Sequence, residues 1–378
     1  MPRVIGIDPG TVSIDLCGLD DGHVFLDRTL PTAEALADPA AFVAMLERMG
    51  SVDLMAGPSG YGLPLIPAAE ATEEMFRLAY LAAPGEQGGI GGLRALARAL
   101  AHSSLPVVFT PGVIHLPTVP AYRKVNRVDM GTADKVCAAA LAVHQQRERR
   151  GCAAHDVSFL LMELGGAFTA ALAVERGQIV DGVGGSAGPV GMRGVGALDG
   201  EVAFLAGTVP KSMLFRGGVN AIRAETSVAP EGGVAEGSAP EAGALEASAS
   251  ESFAAPHGGR DELAWNAYME GIEKAVAMLA VAVPHPYEIL LSGRMAHDAD
   301  VFQELTRRLG ARAPVRRLDG FTATAKEGAQ GAALIADGLA GGGAQWLVQS
   351  LELTRATGTS LDYLYVITPE TARRRIGL

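Results

Sequence analysis

The chain has 378 residues, of which 48% are hydrophobic and 5% aromatic, so it is long enough for two ordinary domains with separate cores. Its formal net charge of −11 argues against a broad surface for nucleic-acid backbones, so no nucleic-acid partner is expected. No uninterrupted apolar run approaches the length of a membrane span, so no membrane partner is expected either.

The cysteines and the N-terminal residues indicate where the protein works. Cys17, Cys137 and Cys152 show neither paired nor metal-binding spacing, and we interpret them as reduced packing residues. No basic segment precedes an apolar stretch at the N-terminus. We therefore expect a cytoplasmic protein. A two-fold homodimer is expected only because it is the commonest assembly.

The predicted elements alternate between strands and helices. A three-stranded meander covers residues 3–29, and a second covers 159–181. Apolar spacing and short buried runs then predict the remaining elements. The expected helices are 38–50, 70–82, 90–102, 132–150, 261–283, 298–310 and 325–340, and the expected strands are 52–57, 106–112, 287–293 and 313–320. Strand–helix–strand crossovers of this length predict parallel pairing, and therefore an α/β fold.

Two helix starts carry recognisable caps, and one long segment lies outside the strand–helix plan. Asp298 is a candidate cap for the helix at 298–310, and Thr132 for the helix at 132–150. Residues 224–259 consist mainly of Ala, Gly, Ser, Pro and Glu, which predicts a mobile surface insertion. This insertion is either a tolerated loop or a segment that orders on a partner.

The two meanders are copies of each other. Residues 4–26 align without a gap on residues 159–181, at a constant offset of 155 residues. Asp8 aligns with Glu163, Gly10 with Gly165, and each copy has a second Gly turn further on. This duplication predicts two similar domains whose first hairpins face each other.

In each copy, the first strand ends in an acidic residue, and a Gly-containing turn follows it. Gly lets backbone N–H groups approach phosphate oxygens, and Thr11 and Ser13 add hydroxyl donors. The carboxylate of Asp8 would repel bare phosphate, so a catalytic role for it implies Mg²⁺ as a bridge. A β-hairpin with an Asp-Pro-Gly turn is also common without any ligand. The second copy at the same register favours a phosphate site.

The stretch between the two copies is the best candidate for substrate binding. It is rich in Pro and basic residues and leads into a helix whose N-terminus favours an anion. Arg gives bidentate contacts to carboxylates and phosphates, and Asp129 could serve as a base for a hydroxyl acceptor. The alternative is a basic, solvated turn that anchors its helix. The candidate substrate residues are Tyr61, His115, Arg123, Lys124 and Lys135, with Arg127 and Asp129 as candidate catalytic groups.

Several motifs resemble a known superfamily. IGIDPGT (5–11), LMELGGAFT (161–169) and ILLSGR (289–294) are similar to the two phosphate motifs and the adenosine motif of the acetate and sugar kinase, chaperone and actin ATPase superfamily. AKEGAQGAALIA (325–336) resembles its small-residue connecting helix. GPSGYGLPL (57–65), the stretch 111–135 and GALDGEVAFL (196–205) more closely resemble a family of predicted butyrate kinases, and that resemblance covers nearly the whole chain apart from the insertion.

The resemblance implies two duplicated ribonuclease H-like (actin-like ATPase) domains with a nucleotide cleft between them. The implied boundaries are 1–150, 151–345 with the insertion, and a C-terminal helical extension at 346–378. It also implies ATP and Mg²⁺ as cofactors, with Asp8 organising the metal. The implied nucleotide-binding residues are Gly10, Thr11, Ser13, Gly165, Gly166, Ser292, Gly293 and Arg294.

The sequence departs from the superfamily pattern at the second hairpin. Glu163 stands where many relatives have Asp, and Ala167 where Thr is frequent. We expect an ATP- and Mg²⁺-dependent phosphotransferase that acts on a small anionic or hydroxylated metabolite. The alternatives are an ATP-coupled transferase or ATPase activator on the same fold, and a non-catalytic nucleotide sensor.

Overall fold

The computed structural model describes residues 2–81, 89–224 and 259–378. The predicted insertion, apart from its end residues Ala224 and Gly259, lies outside the described residues. Within them the chain forms two mixed sheets, and helices alternate with the strands of each sheet, as the duplication predicts.

The strands follow the predicted order. Their bounds are β1 (Arg3–Pro9), β2 (Ser13–Asp20), β3 (His23–Pro31), β4 (Leu54–Pro58), β5 (Ile66–Pro67), β6 (Val107–Thr110), β7 (Phe159–Leu164), β8 (Thr169–Glu175), β9 (Gln178–Val183), β10 (Glu288–Ser292) and β11 (Val315–Arg317). The first sheet has the order β3-β2-β1-β4-β6-β5, and the second has β11-β10-β7-β8-β9. In both sheets the meander is antiparallel and the crossover strands are parallel.

The helices include every long one that the spacing predicts. They are α1 (Thr32–Ala37), α2 (Pro39–Glu47), α3 (Glu73–Tyr80), α4 (Gly89–Ala101), α5 (Ala121–Lys124), α6 (Ala133–Arg150), α7 (Gly200–Ala206), α8 (Val219–Arg223), α9 (Gly259–Leu279), α10 (Ala299–Leu309), α11 (Glu327–Leu339), α12 (Gln345–Ser350) and α13 (Pro369–Arg375). The short ones were not predicted, because too few turns are present for a periodic apolar face.

The two predicted caps have different outcomes. The Asp298 carboxylate accepts hydrogen bonds from the N–H groups of Asp300 and Val301, so this cap is confirmed. Thr132 occupies the N-cap position of α6, but its side chain makes no capping hydrogen bond. The predicted capping bond at Thr132 is therefore wrong. The three cysteines are free, with Cys17 and Cys137 buried.

The duplication is confirmed in the hydrogen bonds of the hairpins. The Gly10 N–H donates to the Ser13 carbonyl at 2.9 Å, and the Gly165 N–H donates to the Phe168 carbonyl at 3.0 Å. Both pairs stand at the offset of 155 residues. We call β1–β2 with its turn the first hairpin, and β7–β8 with its turn the second hairpin.

Further along the meanders, the irregularities also repeat. The register between the second and third strands shifts at Gly18/Leu19 in the first copy and at Ala173/Val174 in the second. These positions again differ by 155 residues, so the two copies share a bulge as well as their turns.

Helices α6 and α11 cross each other, and α11 also packs directly on β1. A Cβ on Gly6 would lie 2.0 Å from the Ala329 carbonyl oxygen, and a Cβ on Gly331 would lie 1.7 Å from the Cys137 carbonyl oxygen. Only glycine permits such close approach of backbone to backbone. These contacts bring the N-termini of both helices to the carboxyl ends of β1 and β7. Among the described helices, none has the length and apolar character needed to cross a membrane.

Candidate functional site

Four carboxylates lie where the strands end and the helices begin. Asp8 is near the end of β1, and Glu163 is near the end of β7. Asp134 and Glu327 lie in the first turns of α6 and α11. Because the partial positive charge of a helix N-terminus attracts anions, this arrangement concentrates acidic groups at one location. The candidate site is therefore built by elements from both halves of the chain.

Asp8 is the least compensated of these acids. A Cβ on Gly328 would lie 2.5 Å from Asp8 Oδ2, so the start of α11 lies directly against this carboxylate. No described residue donates a hydrogen bond to it. Burial and the nearby charge of Asp134 raise the pKa of Asp8 to about 7. Lys326 and Lys135 lower this pKa, but by less. Asp8 therefore has unsatisfied negative charge that a cation would stabilise.

Glu163, in contrast, has a cation of its own. The ammonium of Lys135 lies 3.2 Å from Glu163 Oε2 and 2.5 Å from Asp134 Oδ2. Burial raises the pKa of Glu163, and Lys135 opposes that shift. Although burial works against ionisation of Asp134, Lys135 holds the pKa of Asp134 below its usual range. Lys135 thus joins α6 to the second hairpin, and its predicted contact with substrate stays a prediction.

The turn of the first hairpin is open to solvent. Thr11 and Val12 are exposed, whereas the Gly10 N–H is already used inside the hairpin. The Ser13 hydroxyl donates to Asp15 Oδ2 at 2.9 Å, so Ser13 is oriented towards a buried carboxylate. The ammonium of Lys326 donates to the Ser13 hydroxyl and lies 3.3 Å from Asp15 Oδ2. This part of the site therefore combines exposed backbone with a lysine.

The second hairpin packs against the segment after β10. Ser292 pairs with Glu163 in the parallel register, which places Gly293 beside the hairpin. Gly293 has φ of +81°, and a Cβ there would lie 2.7 Å from Glu163 Oε1. A Cβ on Gly166 would lie 3.8 Å from Arg294 Cδ. The structure thus brings together the predicted nucleotide residues Gly165, Gly166, Ser292, Gly293 and Arg294.

The turn of the second hairpin is partly covered by a loop at residues 191–194. The Ala167 carbonyl accepts hydrogen bonds from the N–H groups of Arg193 and Gly194, at 3.0 and 2.9 Å. The Arg193 Nε is buried and has no hydrogen-bond partner among the described residues. A buried, unsatisfied guanidinium nitrogen is costly, and an anionic ligand would satisfy it.

The predicted basic residues of the loop before α6 have partners elsewhere. Arg123 donates to the Val180 carbonyl at 2.7 Å and lies 3.6 Å from Asp181. The buried ammonium of Lys124 donates to the Leu116 carbonyl at 2.8 Å, and burial lowers its pKa. These contacts anchor the loop, which favours the structural alternative for Arg123 and Lys124. Arg127 is exposed.

Asp129 and His115 are buried in the same region. The Asp129 carboxylate accepts from the Ser186 N–H and hydroxyl at 3.0 and 2.8 Å, and from the Gly131 N–H at 3.2 Å. These three donors engage both oxygens of the carboxylate, so the geometry favours an anchoring role for Asp129. Burial lowers the pKa of His115 to about 4, so its imidazole is neutral at physiological pH.

Tyr61 lies at a contact between the two halves. The ammonium of Lys211 is 5.5 Å from the centre of the Tyr61 ring, and it donates to the carbonyls of Tyr80 and Leu81 at 2.5 and 2.8 Å. Lys211 lies between β9 and β10 of the second sheet, whereas Tyr61 and α3 lie between β4 and β6 of the first. Tyr61 therefore packs where the halves meet, and a role in covering a ligand there stays a prediction.

The acidic groups suit Mg²⁺. Among the described residues, no three His, Cys, Asp or Glu side chains are grouped as a complete metal-binding set. Mg²⁺ does not need one, because it commonly takes one or two carboxylates and fills its remaining positions with water and phosphate oxygens. Asp8 offers a carboxylate without a hydrogen-bond donor, so the residues present fit this ion. Asp134 is a further acid of the cluster that is close enough to raise the pKa of Asp8.

Sequence reasoning missed Lys326, Glu327 and Arg193 as site residues. The first two were available as polar residues at the start of the small-residue helix, and helix starts are favoured anion sites. Arg193 lies in a Gly-rich loop that carries no periodic pattern, so only the fold identifies its position.

The sequence matches the profile of a family described as "Protein of unknown function (DUF1464)" over residues 6–366. The chain belongs to this family. Among curated proteins, no sequence matches it significantly.

Solved structures of low sequence identity share the fold. The propionate kinase from Francisella tularensis subsp. tularensis SCHU S4 has a TM-score of 0.55 and 13% identity, covering 88% of this chain and 98% of that one. Porphyromonas gingivalis acetate kinase has a TM-score of 0.55 and 12% identity, with the same coverage of 88% and 98%. Acetate kinase from Entamoeba histolytica has a TM-score of 0.50 and 11% identity, covering 82% and 87%.

These likenesses confirm the predicted fold class. The protein has the two-domain α/β fold of these acetate and propionate kinases. At such identities they show the fold alone, so the activity must be argued from the site.

Proposed function

We propose that this protein is an ATP- and Mg²⁺-dependent phosphotransferase that acts on a small anionic or hydroxylated metabolite, in the manner of an acetate or butyrate kinase. The observation that carries this proposal is the convergence of two duplicated hairpins, through Asp8 and Glu163, on the N-termini of α6 and α11. Phosphate groups are favoured by helix N-termini, by lysines and by exposed backbone N–H groups, and all three are present here.

Each half of the site has a separate task in this proposal. The nucleoside end would bind between the second hairpin and Ser292–Arg294. Gly293 has no side chain and so lets these two segments lie in close contact. The first hairpin would hold the terminal phosphates. When bound, Mg²⁺ would neutralise phosphate charge, and Asp8 would be its carboxylate ligand or hold one of its waters.

The acceptor would lie near Arg193. Its unsatisfied Nε offers a hydrogen bond to a carboxylate or phosphate, which supports an anionic acceptor. A carboxylate acceptor is already ionised and needs no base, so the protein would act through orientation and charge neutralisation. The names of the similar solved structures contain acetate and propionate, two small carboxylates.

Calorimetry with Mg-ATP tests the proposal. We expect saturable binding by the full chain in the presence of Mg²⁺, and weaker binding when EDTA removes the metal. Asp8→Asn should lower the rate of phosphoryl transfer and change ATP affinity little. Asp21→Asn is its matched control, because Asp21 is exposed and lies in the turn after β2 of the same meander. Absence of nucleotide binding by the wild-type protein would refute the proposal.

A thermal-shift screen then identifies the acceptor class. Small carboxylates and sugar-like alcohols would be added with a non-hydrolysable ATP analogue. A ligand that binds the native protein raises its apparent melting temperature by mass action. We expect carboxylates to give the larger shifts, and Arg193→Met to abolish them. Stabilisation only by neutral alcohols would contradict the anionic acceptor.

A further inference from the structure

Lys326 is placed at the first hairpin by contacts from two elements. It is the N-cap residue of α11, and its ammonium donates to the Ser13 hydroxyl and lies 3.3 Å from Asp15 Oδ2. A Cβ on Gly10 would lie 3.7 Å from the same nitrogen. A positive charge from the second half of the chain is therefore held beside the exposed turn of the first half.

The ammonium is not fully used by these contacts. It has three N–H donors, and the described residues provide two acceptors, on Ser13 and Asp15. The Lys326 side chain is 45% exposed, whereas the side chain of Asp15 is almost fully buried. One donor therefore remains directed towards solvent.

Asp15 does not depend on Lys326 for its hydrogen bonds. Ser13 donates to one of its carboxylate oxygens at 2.9 Å, and Thr29 donates to the other at 2.5 Å. Both oxygens therefore have hydroxyl donors within the first sheet. Lys326 adds charge to this group, and it can form a further contact without leaving Asp15 unsatisfied.

The backbone that carries Lys326 is fixed by an acid of β3. The Asp27 carboxylate accepts hydrogen bonds from three successive N–H groups, those of Ala323, Thr324 and Ala325, at 2.9, 3.0 and 2.6 Å. These residues lead directly into α11. The backbone position of Lys326 is thus set by both the helix and this clamp. Because its ammonium is also held by Ser13 and Asp15, little side-chain entropy would be lost on ligand binding.

The surroundings of Lys326 suit phosphate oxygens. The N–H groups of Thr11 and Val12 make no backbone hydrogen bond to a described residue, and both residues are exposed. The N-terminus of the 13-residue helix α11, which has no side-chain cap, lies at the same place. Lysine, exposed turn and helix start together resemble the features that bind phosphate in other folds.

We propose that Lys326 binds the terminal phosphate oxygens of the nucleotide at the first hairpin, and so distinguishes nucleoside triphosphates and diphosphates from monophosphates. This inference rests on the proposed function. In the nucleotide-bound protein, Lys326 keeps its contact to Asp15 and directs its remaining N–H to a phosphate oxygen. If Lys326 had a purely structural role, it would connect α11 to Asp15 and make no contact with the nucleotide.

Calorimetric titration with ATP, ADP and AMP, each with Mg²⁺, tests this inference. We expect Lys326→Met to weaken the affinity for ATP and ADP by about 10- to 100-fold, which is the loss typical of a hydrogen bond to a charged group. The affinity for AMP should change by less than about threefold. Lys326→Arg should restore most of the ATP affinity. Lys274→Met is the matched control, because Lys274 is 74% exposed and its ion pair among the described residues is with Glu270 on its own helix.

The possible outcomes separate this inference from the proposed function. If the wild-type protein binds no nucleotide, the proposed function fails and the inference falls with it. If the wild type prefers ATP over AMP and Lys326→Met keeps that preference, the inference alone is overturned. Equal losses for ATP and AMP would also overturn it, since they indicate a structural role.

A second variant addresses loss of folding. Should Lys326→Met not fold, Lys326→Met combined with Asp15→Asn removes both charges; the amide oxygen of the asparagine side chain can accept from one hydroxyl, and its NH2 group can donate to the other. We expect this double variant to fold and still to lose the preference for ATP over AMP. An unchanged preference in the double variant would overturn the inference.

Discussion

The two hairpins have the same backbone and different chemistry. They share their turn hydrogen bonds and their bulges at an offset of 155 residues. In the first hairpin, Asp8 faces a glycine and the turn is exposed. In the second, Glu163 is paired with Lys135, and the loop at 191–194 covers part of the turn. Duplication thus supplied two hairpins with one backbone design, and of these two the first has the carboxylate that lacks a cation partner of its own.

The largest expected effect separates Asp8 from Glu163. Asp8→Asn should lower the rate of phosphoryl transfer by about 10³-fold with little change in ATP affinity, because it removes charge where the transferring group is neutralised. Glu163→Gln should lower the same rate by less than about tenfold, because Lys135 already neutralises the Glu163 carboxylate. Steady-state kinetics with the acceptor from the ligand screen measures both variants. Equal losses would show that the two hairpins are functionally equivalent.

Lys135→Met tests the ion pair that distinguishes the second hairpin. Removing one partner of a largely buried pair leaves Asp134 and Glu163 uncompensated, and we expect a loss of about 3 kcal/mol in the free energy of unfolding. Urea denaturation measures it. Adding Glu163→Gln to Lys135→Met should recover part of the loss. If the double variant is no more stable than Lys135→Met, Glu163 is not the partner that matters.

The pKa of Asp8 predicts a pH effect on stability that arises in the first hairpin. Its pKa is about 7 in the folded protein and 3.8 ordinarily, so the folded state binds more protons than the unfolded state between these values. The unfolding free energy contributed by Asp8 is therefore present at low pH and lost as the pH rises through 7. Asp8→Asn should stabilise the metal-free protein at pH 8 by on the order of 2 kcal/mol, and not at pH 4. Thermal unfolding at both pH values measures this, and equal stabilisation would contradict it.

The smallest expected effect concerns the nucleoside end. Gly293→Ala places a methyl group 2.7 Å from Glu163 Oε1 at a positive φ, so the second hairpin must shift. We expect about a tenfold loss of affinity (about 1.4 kcal/mol), the same for ATP and AMP. Gly343→Ala is the control, because nothing lies within 4 Å of its Cβ position. A loss confined to ATP would place the terminal phosphates at the second hairpin instead.

Much of the fold follows from local patterns. Apolar periodicity predicts the long helices, including α6, α9 and α11, and the gapless repeat predicts the paired meanders down to their turns. Short elements such as α1 and α7 escape prediction, because one or two turns of helix leave no periodic signal. Residues 225–258 lie outside the described residues, so the prediction of a mobile insertion stays untested.

The candidate site divides in the same way. The residues of the two hairpins and of Ser292–Arg294 are recognisable from the sequence, because glycine turns after apolar strands limit what the backbone can do. The loop residues Arg123, Lys124 and Asp129 look similar to binding residues in the sequence. The contacts that anchor them to β9, Leu116 and Ser186 appear only in the folded chain.

The sequence by itself determined the duplication, the α/β class and the position of Asp8 at the end of a buried strand. Only the tertiary structure decided which cation faces which acid. Lys135 and Lys326 are each carried by a helix start, and each reaches a hairpin of the other half of the chain. Local sequence cannot encode such pairings visibly, because they depend on how α6 and α11 cross at the close contact of Gly331. The asymmetry of the site is thus a property of packing.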